Sequence, residues 1–158
     1  MRFSISPRFL RLALPWWPPF VGAGIRVTRI DPDWSYVRVE LRQNPLNRNA
    51  LGTHFGGSLF AMTDPFYALM LMHQLGRDYV VWDQSATIDF LKPGRGVVWA
   101  DFRLEPELVG RLRHEAAGGA KLRPEFLVEV RNSAGETVAR VRKLLYVRLK
   151  TAGTTSGQ

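Results

Sequence analysis

Alternation of apolar and polar residues predicts most of the strands in this chain. Four segments carry an apolar residue at every second position, mostly with polar residues between: Val37, Val39, Leu41; Ala86, Ile88, Phe90; Val98, Ala100, Phe102, Leu104; and Phe126, Val128, Val130. This period is typical of a strand with one buried face. Residues 24–30 are extended before an Asp-Pro-Asp turn, and residues 137–149 place Val141, Leu145, Val147 and Leu149 on one face. The pattern therefore predicts six strands.

The most apolar segment, residues 55–75, predicts a buried helix because its side chains are apolar nearly all round. Gly76 follows it as a C-terminal cap. A minor helix is predicted to start at Pro106, with Leu108, Leu112 and Ala116 on one face. The order is two strands, the long helix, then four strands with the minor helix between the second and third of them. This order predicts an α+β fold in which an antiparallel sheet wraps around one long central helix.

Length and composition indicate one domain over residues 1–150, with residues 1–21 as a helical, Pro-rich cap and residues 151–158 as a disordered tail. The chain contains no Cys, which excludes disulfides, thiolate catalysis and Cys-ligated metals and fits a cytoplasmic protein. Three prolines interrupt the apolar residues 12–21. We therefore expect neither a targeting segment nor stable membrane insertion.

The charge balance is basic, with 22 Lys and Arg against 14 Asp and Glu, a net charge of +8. The cations are interleaved with apolar and acidic residues and form no long run, which favours a small anionic ligand over nucleic acid. Lys92 and Arg95 flank a turn at a strand end. They are candidates for binding the phosphates of such a ligand, and the alternative is an ordinary solvated turn.

Gly56 and Gly57 stand at the predicted start of the long helix. A helix start offers free backbone N–H groups and the positive end of the helix dipole, and glycine lets a substrate carbonyl come close. The pair is therefore a candidate oxyanion hole. The alternative is that the glycines let the sheet pack tightly on the helix.

Asp64 is the lone charged side chain between Phe55 and Met72. A carboxylate buried there would need a purpose, and burial would raise its pKa towards that of a useful general base. The alternative is structural: the helix breaks at this point, Asp64 caps its second half, and Pro65 takes the first helical position. The two roles can coexist.

The spacing of Gly57 and Asp64 carries a prediction about assembly. In a regular helix Asp64, seven positions after Gly57, would lie about 10.5 Å further along the axis, too far for both to meet one carbonyl. A second helix across a two-fold axis would bring Asp64 of one chain to Gly57 of the other. A second copy would also cover the helix faces that the sheet leaves open. We therefore expect a homodimer with two equivalent sites.

Asn49 and His54 are further polar candidates before the helix. Asn49 would hold a water or a substrate amide, or is a turn residue. His54 would carry a proton or contact the helix start, or is structural. His54, His73 and His114 show no metal-ligand spacing, so we expect no metal.

The stretch from Asn49 to Asp64 (NALGTHFGGSLFAMTD) resembles the signature of hot-dog-fold acyl-CoA thioesterases of the phenylacetate-degradation type. Residues 87–94 (TIDFLKPG) are similar to a strand of the same superfamily. The segment Trp-Pro-Pro-Phe, with Gly-Thr-His-Phe-Gly-Gly, resembles a bacterial branch of tetrameric acyl-CoA thioesterases. The resemblance runs from Trp17 to Leu149. It implies a hot-dog fold, sites shared between subunits, an acyl-CoA substrate and no cofactor beyond the coenzyme A of that substrate.

One position departs from the motif, because Phe55 stands directly before Gly-Gly where the family has His, and His54 comes one residue earlier. The function expected is hydrolysis of acyl-CoA, with Asp64 as base or nucleophile and the Gly57 N–H as oxyanion donor. A non-catalytic acyl-CoA or fatty-acyl binding module is the alternative that the shifted His54 keeps open. A dehydratase on the same fold fits the Gly-Gly and Asp spacing less well. A homotetramer is the second expectation for assembly.

Overall fold

The protein folds as a six-stranded antiparallel sheet with five helices, seen in a computed structural model that describes residues 6–150. The strands are β1 (Ile25–Ile30), β2 (Tyr36–Arg42), β3 (Tyr79–Phe90), β4 (Val97–Arg103), β5 (Glu125–Asn132) and β6 (Thr137–Leu149), in the spatial order β1-β2-β4-β5-β6-β3. The helices are α1 (Pro7–Ala13), α2 (Pro18–Ala23), α3 (Gly56–Ala61), α4 (Phe66–Leu75) and α5 (Pro106–Ala116). The predicted α+β class and all six strands are confirmed. The tail at residues 151–158 lies outside the described residues.

The core lies between one face of the sheet and α4. The alternating residues that predicted strands β2, β4 and β5 are the buried ones, because the period of two sends every second side chain to the same face. From α4, Phe66, Met70 and Leu71 are fully buried. The rings of Phe66 and Tyr67 lie 5.0 and 5.2 Å from that of Phe102, centroid to centroid. Aromatic packing therefore joins the helix to the middle of the sheet.

The single long helix predicted over residues 55–75 is wrong in one respect: it is interrupted at residues 62–65, between α3 and α4. Pro65 has no N–H to donate to Ala61, and it disfavours the helical conformation in the residue before it. The hydrogen bonds here join residues three positions apart instead of four: the Thr63 N–H donates to Phe60 O at 3.0 Å and the Asp64 N–H to Ala61 O at 3.2 Å. The break that the Asp-Pro pair suggested is therefore present.

The two edges of the sheet differ in their cover. At one edge α1 packs against β1. At the other, β3 runs for 12 residues, and no strand within residues 6–150 pairs with its outer side. Trp82 on β3 stays 46% exposed, although it stacks on Tyr146 with the centroids 4.1 Å apart. An open edge of this length is a template for pairing with another chain.

The N-terminal helices α1 and α2 are joined by a 3-10 turn at Leu14–Trp16. Phe20 of α2 is 1% exposed, and its ring lies 6.1 Å from that of Phe66. Phe20 therefore anchors the N-terminal segment to the core, and Leu10 and Leu14 pack against the same core. Within residues 6–150, no helix has both the length and the apolar character needed to cross a bilayer.

Candidate active site

The first turn of α3 separates two grooves. The N-terminal groove has a volume of about 240 Å³ and is lined by Trp17, Pro19, Phe20, Gly57, Phe60, Ala61 and Asp64. The loop groove has a volume of about 630 Å³ and lies between residues 49–59 and residues 90–95. Gly56 lines the loop groove and Gly57 the N-terminal groove. The two consecutive glycines at the start of α3 therefore line one groove each.

The candidate residues are divided between these grooves. Asn49, His54, Gly56, Lys92 and Arg95 all line the loop groove. Gly57 and Asp64 line the N-terminal groove together, within one chain. The expectation that these two cannot share a site assumed a regular helix between them. The break at residues 62–65 removes that assumption.

The glycine pair lets two aromatic rings approach the backbone of α3. A Cβ on Gly56 would lie 2.9 Å from Phe90 Cζ, and one on Gly57 would lie 2.3 Å from Phe55 Cε1. Both distances are too short for a real contact. The Phe90 ring belongs to β3 and is the close packing of sheet on helix that was the alternative role, whereas the Phe55 ring comes from the residue just before α3. The two rings are themselves 57% and 59% exposed, and so are not locked in a core.

The backbone donors at this helix start remain free. The first N–H groups with an acceptor are those of Ser58 and Leu59, which both donate to Phe55 O, at 3.0 and 3.2 Å. Within residues 6–150, the N–H groups of Gly56 and Gly57 have no protein acceptor. These two donors are therefore available to an oxygen that enters between the grooves.

In the single chain, Asp64 is neither a buried carboxylate nor a helix cap, the two roles predicted from the sequence. Its side chain is 64% exposed rather than buried. It makes no capping hydrogen bond to α4, whose N-cap residue is Pro65. The carboxylate projects from the break into the N-terminal groove, where it stays open to water. Burial of Asp64 therefore needs a cover that one chain does not supply.

Lys143 is a site residue that the sequence reasoning missed. Its side chain is fully buried beneath the break, and Nζ donates to Thr63 O at 3.2 Å and to Asp64 O. Nζ also lies 3.1 Å from Asp83 Oδ1 and 3.8 Å from Asp64 Oδ1. The sequence did contain a signal for it. Lys143 stands between Val141 and Leu145 in the alternating pattern of β6, so its side chain points to the buried face, where a lysine is costly.

Asp83, which is partly buried, joins this group from the neighbouring strand β3. Burial raises the pKa of its carboxyl, while the positive charge of Lys143 opposes that shift. The register between β3 and β6 slips beside Asp83, at a bulge between Asp83 and Ser85. Bulges re-aim side chains in this way. Together Asp64, Asp83 and Lys143 form what we call the break cluster.

Asn49 has its polar atoms occupied by its own loop. Its Oδ1 accepts from the N–H groups of Leu51 and Thr53, at 3.0 and 3.1 Å, and from Thr53 Oγ1 at 3.1 Å. Its Nδ2 donates to His54 O at 3.3 Å. These contacts are those of a turn residue, the alternative role considered for Asn49.

His54 is buried and ties two loops together. Its Nε2 lies 3.0 Å from Gly96 O, and its backbone N–H donates to Gly94 O at 2.9 Å. Burial lowers the pKa of the imidazole, and the hydrogen bond to Gly96 opposes this. Within the described residues Nδ1 has no partner. A neutral His54 that donates from Nε2 supports the structural role.

Lys92 and Arg95 stand on the rim of the loop groove. Lys92 Nζ forms an exposed ion pair with Glu136 at 2.6 Å, which lowers the pKa of that carboxyl. Arg95 Nη1 donates to Gly52 O at 3.1 Å and keeps its other donors for water or a ligand. Within residues 6–150, no three His, Asp or Glu side chains converge as metal ligands.

Comparison with known proteins places this geometry in a family. The family model described as "Domain of unknown function (DUF4442)" matches residues 6–147. A protein from Pseudomonas aeruginosa described as a probable thioesterase has a similar structure, with a TM-score of 0.79, 22% identity, and cover of 90% of this chain and 95% of the other. No curated protein matches this chain.

Two further solved structures are similar over most of their length. A thioesterase from Haemophilus influenzae gives a TM-score of 0.67 at 14% identity and covers 96% of each chain. The PaaI protein of the phenylacetic acid degradation operon of Escherichia coli gives 0.56 at 21% identity, with cover of 82% of this chain and 81% of its own. At these identities the likeness establishes the fold, which is the hot-dog fold that the sequence resemblance implied.

Proposed function

From the premise that this chain belongs to the DUF4442 family, we propose that it hydrolyses acyl-CoA thioesters at a site completed by a second copy of the chain. The observation that carries the proposal is the start of α3, where two free backbone N–H groups lie between two grooves. A thioester has its carbonyl between an acyl chain and a bulky thiol carrier. A helix start between two grooves suits that shape.

The N-terminal groove is suited to the acyl group. Trp17, Phe20 and Phe60 give it apolar walls, and burial of each methylene there contributes about 0.8 kcal/mol. Its volume of about 240 Å³ suits a short or aromatic acyl group better than a long chain.

The loop groove is suited to coenzyme A. Its floor is apolar, with Leu59 and Phe90, and its rim carries Lys92 and Arg95. Cations on a rim attract the phosphates of coenzyme A and leave the pantetheine arm to lie on the apolar floor. The net charge of +8 acts in the same direction over a longer range.

The reaction needs a polarised carbonyl and a base. The N–H of Gly57 donates to the thioester oxygen and stabilises the negative charge that develops on it. The Asp64 carboxylate takes a proton from a water, which adds to the carbonyl carbon. The C–S bond then breaks, the sulfur leaves as the thiolate and takes up a proton, and the products are the free acid and coenzyme A. Direct attack by Asp64, followed by hydrolysis of the anhydride, is the other route open to the same group.

A homodimer through the open edge of β3 would complete the site. The unpaired edge and the exposure of Asp64 both point to a missing neighbour, and a partner would exclude water from the carboxylate. A tetramer would be a dimer of such dimers. Light scattering at micromolar concentration should give no stable folded monomer, and a monodisperse monomer with full activity would contradict this part of the proposal.

The second candidate is an acyl-CoA binding module without catalysis. The rings of Phe55 and Phe90 favour it, because they lie against the glycine backbone where a carbonyl would have to approach. The test is a panel of acyl-CoA thioesters, from acetyl to palmitoyl and phenylacetyl, with free thiol release followed against an enzyme-free control. We expect turnover on at least one short or aromatic thioester. Tight binding of acyl-CoA with no thiol release across the panel would establish the binding module instead.

A further inference from the structure

The buried lysine of the break cluster needs an explanation that packing does not provide. Within residues 6–150, Lys143 is the one fully buried Lys, Arg, Asp or Glu side chain. A desolvated ammonium is unfavourable unless it is paired and hydrogen-bonded, and an apolar residue at this place on β6 would stabilise the fold at least as well. The contacts of the Lys143 ammonium group, rather than its contribution to stability, therefore explain why a lysine is present here.

Lys143 binds the backbone at the break between α3 and α4. Its Nζ reaches Thr63 O at 3.2 Å and Asp64 O from the sheet side, the two carbonyls that directly precede Pro65. It is the one side chain of the described residues that donates to these carbonyls. The backbone of Asp64 is thus tied to β6, and its carboxylate leaves the core in a fixed direction.

The same ammonium stands behind the Asp64 carboxylate, with 3.8 Å between Nζ and Oδ1. Asp83 holds Nζ from the other side at 3.1 Å, an ion pair between β6 and the bulge of β3. The ammonium thus donates hydrogen bonds to two backbone carbonyls and pairs by charge with the Asp83 carboxylate. These contacts place the cation directly beside the exposed carboxylate.

We infer that Lys143, held in place by Asp83, is the positioning residue for Asp64. It does not touch the substrate. It fixes where the carboxylate points and keeps a positive charge beside its ionised form. The inference rests on the proposed function, in which Asp64 is the base.

The test separates positioning from stability by removing one charge and then both. Lys143→Met leaves the partly buried Asp83 carboxylate without its partner, so we expect a lower melting temperature together with a lower turnover. The double variant Lys143→Met, Asp83→Leu replaces the ion pair with apolar side chains of similar size, and we expect it to melt at a higher temperature than Lys143→Met. Part of the loss should remain, because the carbonyls of Thr63 and Asp64 still lack the donor that Lys143 supplied. The kcat of the double variant should stay about 10- to 100-fold low at nearly unchanged KM, because misplacing a reacting group by about 1 Å costs this much.

The matched control is a second ion pair between the same two strands. Arg142 Nη2 lies 2.9 Å from Asp89 Oδ2, and both side chains are exposed. Arg142→Gln with Asp89→Asn should leave both turnover and melting temperature unchanged, since exposed pairs contribute little.

The outcomes distinguish the inference from the function beneath it. A stable double variant with wild-type kcat, alongside an inactive Asp64→Asn, would overturn the positioning role and leave the hydrolase intact. Full activity in Asp64→Asn, or a wild type that releases no thiol from any thioester, would overturn the proposed function and the inference with it. A stable, dimeric double variant with low kcat and unchanged KM is the supporting result.

Discussion

On the loop-groove side of α3, Asn49 and His54 use their polar atoms to hold the loops together, whereas on the other side the Asp64 carboxylate does not. Asn49 uses its Oδ1 and Nδ2 within its loop, and His54 bridges to Gly96. Across α3, the Asp64 carboxylate is exposed, with only Lys143 behind it. Residue type alone is therefore a poor guide to catalytic chemistry. A histidine whose ring N–H is already hydrogen-bonded within the protein is less available to a substrate than an exposed carboxylate at a helix break.

The largest expected effect comes from Asp64→Asn. Asn has nearly the same shape but cannot accept a proton or attack as a carboxylate, so turnover should fall by roughly 10²–10⁴. The melting temperature should change by no more than a few degrees, and so should that of Asp64→Ala, because the side chain caps no helix. Thiol release and thermal melts measure both. Wild-type turnover in the Asn variant would show that the Asp64 carboxylate is neither the base nor the nucleophile.

The next effect tests why the glycines are there. In Gly57→Ala the new Cβ collides with the ring of Phe55, so Phe55→Ala is combined with it to remove the collision. If a carbonyl must approach the Gly57 backbone, turnover of the double variant should fall by about 10², the scale of a lost oxyanion contact. Phe55→Ala alone is the control and should keep its activity. Equal activity in the single and double variants would leave the glycine with a packing role only.

A smaller effect is expected for His54→Gln, which keeps a donor for Gly96 O but does not titrate in this range. Turnover should stay within about threefold if His54 is structural. Burial lowers the pKa of the folded histidine below the 6.5 of the free side chain. The unfolded chain therefore binds more protons as pH falls through 6.5, and the wild type loses stability there.

Denaturant unfolding between pH 5 and pH 8 should show the wild type losing more stability on acidification than the variant does. His73, whose pKa burial also lowers, contributes equally to both proteins. A turnover loss of 10²-fold or more in His54→Gln would instead make the histidine a proton carrier and weaken the contrast between the two sides.

The smallest effect is expected on the rim of the loop groove. Lys92→Ala with Arg95→Ala should raise KM for acyl-CoA a few-fold at low salt and leave kcat unchanged, because exposed cations contribute modestly and are screened. The difference from the wild type should shrink as salt is added. Arg111→Ala with Arg113→Ala, on the exposed side of α5, is the control for net charge. An equal rise in KM in that control would show that only the overall charge matters.

The sequence by itself determined the strands and the helix start. The period-two pattern needs only local chemistry, since alternate side chains of any strand point to opposite faces. For this reason β2, β4 and β5 were predicted with their buried residues, and α5 with its first residue at Pro106. The break at residues 62–65 was also present in the sequence as a possibility, because proline acts on its immediate neighbours.

Tertiary structure alone decided the chemistry of the break. Arg140, Arg142 and Lys143 look like one basic cluster in the sequence, but the pleat of β6 turns Arg142 outward to Asp89 and Lys143 inward to Asp83. That inward contact joins residues 60 positions apart, and it depends on how β3 pairs with β6 and on the bulge in that pairing. A local pattern carries no information on such a register, because it is set by which strands become neighbours when the core closes around α4.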